Sequence, residues 1–195
     1  AVGRLESPPA ETVGVLTAAL DDPDSETVIT VLWALASVDA PSVVPNIAEM
    51  YGSQDPGIRK MVVYALGVMP GSGADTTLRT ALDDPVPDVQ WNAAVSLARR
   101  GDGRGVTVLG RMIDRDYVTR QVEPSETVVD PVSEVMISGL RAVEALGATS
   151  VTEHLRAPVL GLAEADTSLK VRQAAMETLE ALELSPGSRN IAERQ

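Results

Sequence analysis

The stretch LDDPDSETV, residues 20–28, places Asp21, Asp22, Asp24 and Glu26 within six positions. Carboxylates that close together could hold a hard cation such as Ca²⁺ or Mg²⁺ through oxygen ligands. The ligand spacing and central glycine of a calcium loop are missing. Helix capping explains the same residues more simply. An Asp at the N-cap accepts free amide hydrogens, and Pro at the next position gives up no useful donor. Asp22-Pro23, Asp84-Pro85 and Asp130-Pro131 fit this pattern, with acidic residues favoured at the positive end of the helix dipole. No metal site is expected here.

Three other features invite a chemical reading. GDGRG at 101–105 could cradle a phosphate, but it follows no strand and lacks the Lys-Ser/Thr ending, so it reads as a turn. Asp114 and Asp116 form a carboxylate pair at the end of an expected helix, where solvation accounts for them. His154 is the single histidine, set in VTEHLRAPVL without an activating partner nearby in sequence. It reads as an ordinary helical histidine. No nucleophile elbow, zinc motif or dinucleotide fingerprint occurs. Neither a catalytic residue nor a cofactor is expected.

The acidic stretch recurs. LDDPVPDVQ at 82–90 repeats it, QDPGI at 54–58 and VDPVSEV at 129–135 vary it, and ADTSLKV at 165–171 keeps the acid without the proline. The Asp-Pro pairs begin at 22, 55, 84 and 130, and the first two gaps fall in the range of helical repeats. A helical pattern follows each turn. Counting Thr27, Ile58, Val89, Val135 and Val171 as position zero, positions four, five and eight are almost all apolar. That spacing is one face of an α-helix. Before each turn comes a shorter apolar segment: Leu16 and Leu20, Ile47 and Tyr51, Leu78 and Leu82, Leu109 and Ile113. DAPS at 39–42, PGSG at 70–73, GDGRG at 101–105 and LGATS at 146–150 break the pairs apart. One helix pair cannot bury both its faces, so the pairs must stack.

DPGIRKMVVYALG at 55–67 and LKVRQAAMETL at 169–179 carry a motif of acidic turn, Val/Ile-Arg and Ala-rich helix. In this the chain resembles the HEAT-repeat family, especially bacterial HEAT-like repeats. The resemblance implies an all-α fold, an α-solenoid of about five stacked antiparallel helix pairs. It would span residues 1–184 as one domain, with an insertion at 115–130 and a C-terminal tail at 185–195. Residues 3–13 read as the end of an earlier repeat or a cap. In the family, the Arg after position zero often pairs with a turn Asp of an adjacent repeat. Arg59 and Arg172 keep it, while Val28, Gln90 and Met136 replace it, so a continuous ladder is not expected.

Positions two and six lie along one edge of each second helix. In the resembled family that edge is polar and lines the concave face. Here it carries Ile29 and Trp33, then Lys60 and Tyr64, then Trp91 and Val95. Large aromatic side chains are enriched at binding hot spots, so this edge is the first candidate for a partner. Burial of the same aromatics under neighbouring helices is the competing reading. The inserted segment, with Tyr117 and Arg120, is a second candidate contact, or else a tolerated loop with a short extra helix.

Composition narrows the function classes. Hydrophobic residues make up 44%, with no Phe and few aromatics, which suits closely stacked helices. The net charge of −12 opposes binding to nucleic-acid phosphates or an anionic membrane surface. No Cys is present, which excludes disulfides and thiolate chemistry. No apolar run reaches the roughly 18 residues of a membrane span. The expected function is a non-catalytic scaffold, adaptor or complex subunit that binds a protein partner. Its expected location is the cytoplasm, at the membrane face only through a partner or a missing upstream anchor. Two alternatives stand beside it: from the resemblance, a HEAT-like enzyme or pigment handler of the chromophore-lyase type; and, if an upstream anchor exists, the soluble part of a membrane-anchored complex subunit.

Overall fold

The computed structural model describes residues 9–38, 40–69, 73–123, 130–149 and 152–184. Among these residues there are α-helices and short 3-10 turns, and no β-strand. The helices form five pairs of solenoid type. The first is α1 (Ala10–Ala18) with α2 (Ser25–Ala36), and the second is α3 (Val44–Glu49) with α4 (Pro56–Val68). The third is α5 (Asp75–Thr80) with α6 (Pro87–Arg99). In the fourth, α7 (Val106–Met112) is followed by a short α8 (Arg115–Gln121) and then by the long α9 (Pro131–Leu146). The fifth is α10 (Arg156–Ala165) with α11 (Leu169–Leu184). The chain divides into two compact units, Ala1–Ser96 and Leu97–Gln195, the division falling inside α6. In the first unit α2 packs on α4, and in the second α9 packs on α11 and α7 on α9.

The helical register explains the core. Position four is buried in all five second helices: Val31, Val62, Ala93, Gly139 and Ala175. Position five is buried in four, as Leu32, Val63, Ala94 and Leu140, but Met176 is 54% exposed. At position zero Ile58, Val89 and Val171 are buried, whereas Thr27 and Val135 are only half-buried. Position seven stays small because second helices approach closely there. Ser96 of α6 donates its hydroxyl to the Val63 carbonyl of α4, and Thr178 of α11 donates to Leu140 of α9, each at 3.4 Å. Glycine lets the approach continue on the other side. A Cβ at Gly67 would stand 2.6 Å from the Ser96 Cβ, and one at Gly139 would stand 2.9 Å from the Met112 Cβ.

The caps fall partly elsewhere than the Asp-Pro pattern suggests. Asp55 and Asp130 are N-caps, accepting the Gly57 and Val132 amides at 2.7 and 3.1 Å. Asp22 and Asp84 are not. Asp24 caps α2 by accepting the Thr27 amide, and α6 begins only at Pro87. Asp22 and Asp84 lie three residues before those starts, where each accepts the amide two residues on. A carboxylate stabilises a tight turn in that way. GDGRG is a turn, as its register required. Gly101 takes a φ of 74° there, and Asp102 accepts the Arg104 amide. His154 lies exposed in a 3-10 turn leading into α10, just before the helix rather than inside it.

The inserted segment opens with its own helix. Asp114 caps α8 through the Tyr117 amide at 3.0 Å, and Val118 is fully buried. Residues 124–129 of the insertion, and the tail at 185–195, lie outside the described residues. No described helix is long and apolar enough to cross a membrane.

Candidate partner-binding edge

Positions two and six of the second helices do not behave alike. Position six of the first two repeats points outward: Trp33 is 56% exposed and Tyr64 is 38% exposed. They hold the same register on α2 and α4, which pack together. Position two instead leans toward the start of the next second helix. The Ile29 Cδ1 lies against Gly57 of α4, where a Cβ would come within 3.3 Å of it. Lys60 reaches Asp88 at the start of α6, Nζ to Oδ2 at 2.8 Å. Trp91 holds the same position two in α6 and is only 5% exposed. The expected wet edge is therefore split. Trp33 and Tyr64 offer aromatic surface, Ile29 and Val95 are half-buried, and Trp91 belongs to the core. Its indole nitrogen is buried without a hydrogen-bond partner, so the ring is held by packing.

The two candidates from the insertion lie in the second unit. Tyr117 is half-buried, with the Arg111 guanidinium carbon 5.8 Å from its ring centroid, in cation–π range. Arg120 is exposed in the last turn of α8.

The strongest electrostatics lie in the turns. Arg59 clamps Asp84 with two bonds, Nε to Oδ2 at 2.8 Å and Nη2 to Oδ1 at 3.0 Å. Tyr51 donates to the same carboxylate at 2.8 Å. Burial pushes the Asp84 carboxyl up, but hydrogen bonds from Arg59, the Val86 amide and Tyr51 outweigh it and leave its pKa lowered. Tyr51 is pushed up to about 12 by burial and by its bond to Asp84. At Asp55 a hydrogen bond from the Ser25 hydroxyl, then one from the Gly57 amide, lowers the pKa.

One pairing escaped the sequence reading. Met136 occupies the ladder position of the fourth repeat, and no ion pair was expected there. Arg115, from the inserted α8, makes the pair instead. It bonds Asp166 with Nε to Oδ2 at 2.8 Å and Nη2 to Oδ1 at 2.7 Å. The bond to Asp166 outweighs burial and raises the Arg115 pKa. Asp166 also accepts the Ser168 amide, as Asp84 accepts that of Val86. The insertion thus restores the rung that Met136 removes. Only the Asp-Arg dipeptide at 114–115 hinted at it, and its register matches no other repeat.

Nothing among the described residues gathers three or more potential metal ligands. A groove of about 930 Å³ runs between α1 and the start of α3, past Val13, Gly14, Thr17, Asn46 and Met50. None of its lining residues is basic or aromatic, so it offers an anionic pigment no counter-charge and no stacking surface.

Comparison with known proteins supports the repeat reading. The family model for HEAT repeats matches residues 12–77. An engineered protein solved by a structural genomics consortium superposes with a TM-score of 0.55 at 20% identity. That match covers 89% of this chain and 80% of the other. It bears on the fold alone. No curated protein matches. Residues 12–77 thus match the HEAT-repeat family, and the same turn-and-helix unit recurs beyond residue 77.

Proposed function

We propose that this protein is a non-catalytic scaffold or accessory subunit that binds a protein partner through the edge of α2 and α4. The observation that carries this reading is the pair Trp33 and Tyr64, large side chains left 56% and 38% exposed at matching positions on packed helices. Their helices are anchored by buried residues on the opposite face, so the aromatic surface costs a partner little ordering. A net charge of −12 supports a protein partner over nucleic acid. In this reading the chain works in the cytoplasm and meets a membrane only through its partner.

The test is comparative affinity capture from the native source. Wild type and a Trp33→Ala/Tyr64→Ala variant are used as baits, and captured proteins are quantified by mass spectrometry. A protein held by wild type should bind the variant at least about tenfold more weakly, with melting unchanged. Equal capture by both baits would remove the edge from the interface.

A further inference from the structure

Two groups, in the first and last repeats, lack the partner that their counterparts have. Arg59 holds Asp84 of the following turn, and Arg115 holds Asp166 of the following turn. Arg172 stands in α11 at the register of Arg59 in α4, and its guanidinium has no partner among the described residues. Beside it the helix exposes apolar surface. Met176 is 54% exposed at position five, where Leu32, Val63, Ala94 and Leu140 are fully buried. The backbone at position five faces the following helix, its Val63 and Leu140 carbonyls accepting from Ser96 and Thr178. Leu169 is 72% exposed on the first turn, next to exposed Lys170. The face of α11 is thus built for stacking: apolar centre, guanidinium at the turn.

The complementary feature lies in the first repeat. Asp22 is the structural equivalent of Asp84 and Asp166, since each accepts the amide two residues on, from Asp24, Val86 and Ser168. The latter two carboxylates also take a guanidinium, whereas Asp22 is exposed and takes none among the described residues. Position seven, the side turned to a preceding helix, is Ala34 in α2, half-buried and small enough for another helix to approach.

We propose that the α11 face of one copy docks on the first repeat of a second copy, Arg172 pairing with Asp22 as Arg59 pairs with Asp84. Charge favours this occupant. Lys170 and Arg172 meet a turn whose carboxylate already has the geometry that holds a guanidinium twice elsewhere in the chain. The contact is heterologous, so association proceeds beyond two copies until a ring closes or the chain of copies stays open.

Sedimentation velocity of the full chain, from low micromolar to submillimolar concentration, tests the proposal. The weight-average mass should climb with concentration and pass that of a dimer. Arg172→Asp alone, or Asp22→Arg alone, should move association to about tenfold higher concentration or beyond. The doubly reversed variant Arg172→Asp/Asp22→Arg should recover it. The Arg172→Asp melting curve should match wild type, and the two variants with Asp22→Arg should melt only slightly lower, since the one internal bond lost is the exposed turn bond from the Asp24 amide. A chain that stays monomeric throughout would overturn the proposal. So would association unmoved by either reversal, or association abolished by Trp33→Ala instead.

Discussion

At the scale of single residues, the Asp84 carboxylate binds three partners with side-chain exposure of 2%. Removing it leaves the Arg59 guanidinium, itself 13% exposed, with the Ser53 and Gln54 carbonyls but no counter-charge, so Asp84→Ala should cost about 3 kcal/mol in chemical denaturation. Its titration has a definite sign. The folded-state pKa lies below the unfolded one, so the stabilisation is present at neutral pH. It is lost as pH falls below the ordinary carboxylate value and through the folded one. Tyr51 acts at the other limit: its share holds below the ordinary tyrosine value and is lost as pH rises toward about 12. Melting temperature measured against pH should therefore fall less steeply in acid for Asp84→Asn than for wild type. Trp91 is the second test at this scale. Trp91→Ala should cost about 3–5 kcal/mol, whereas Trp91→Phe should cost far less, since the indole N–H bonds nothing.

Among the helices, the close approach of α4 and α6 depends on Gly67 facing Ser96. Gly67→Ala should destabilise by about 1–3 kcal/mol despite its better helix propensity. Ser96→Gly in the same chain should recover part of that loss, and the double-mutant coupling energy measures the contact. Much of this level was legible in the sequence. The recurring acidic turn and the zero-four-five-eight spacing located the second helices and most of their buried face, because periodicity is a property of the chain itself. Which carboxylate caps and which grips a guanidinium was not legible, since Asp55 and Asp84 both precede proline. Their roles depend on where the following helix begins. The candidate edge divided for a related reason. Positions two and six share an edge on an isolated helix, but stacking carries position two toward the next helix. That left Trp33 outside and Trp91 inside. Met176 fell on the predicted core face yet is 54% exposed.

At the scale of the whole molecule, the described residues of each compact unit include a two-pronged arginine rung: Arg59 with Asp84 in the first, Arg115 with Asp166 in the second. Arg115→Ala should accordingly weaken the second unit, where the inserted α8 is tied to the fifth repeat. Arrays of this kind unfold in segments when one interface is weakened more than its neighbours. The burial of Trp91 and exposure of Trp33 have a spectroscopic consequence. Both tryptophans of the chain lie in the first unit, so tryptophan emission, excited beyond the absorption of Tyr117, is blind to the second. In urea, Arg115→Ala should lose far-ultraviolet circular dichroism before its emission shifts, and wild type should show a smaller gap between the two signals. Within the emission itself, acrylamide should quench the red, solvent-relaxed component from Trp33 and spare the blue one from Trp91. The folded chain thus carries one optical reporter for ligand capture and another for the integrity of its first half.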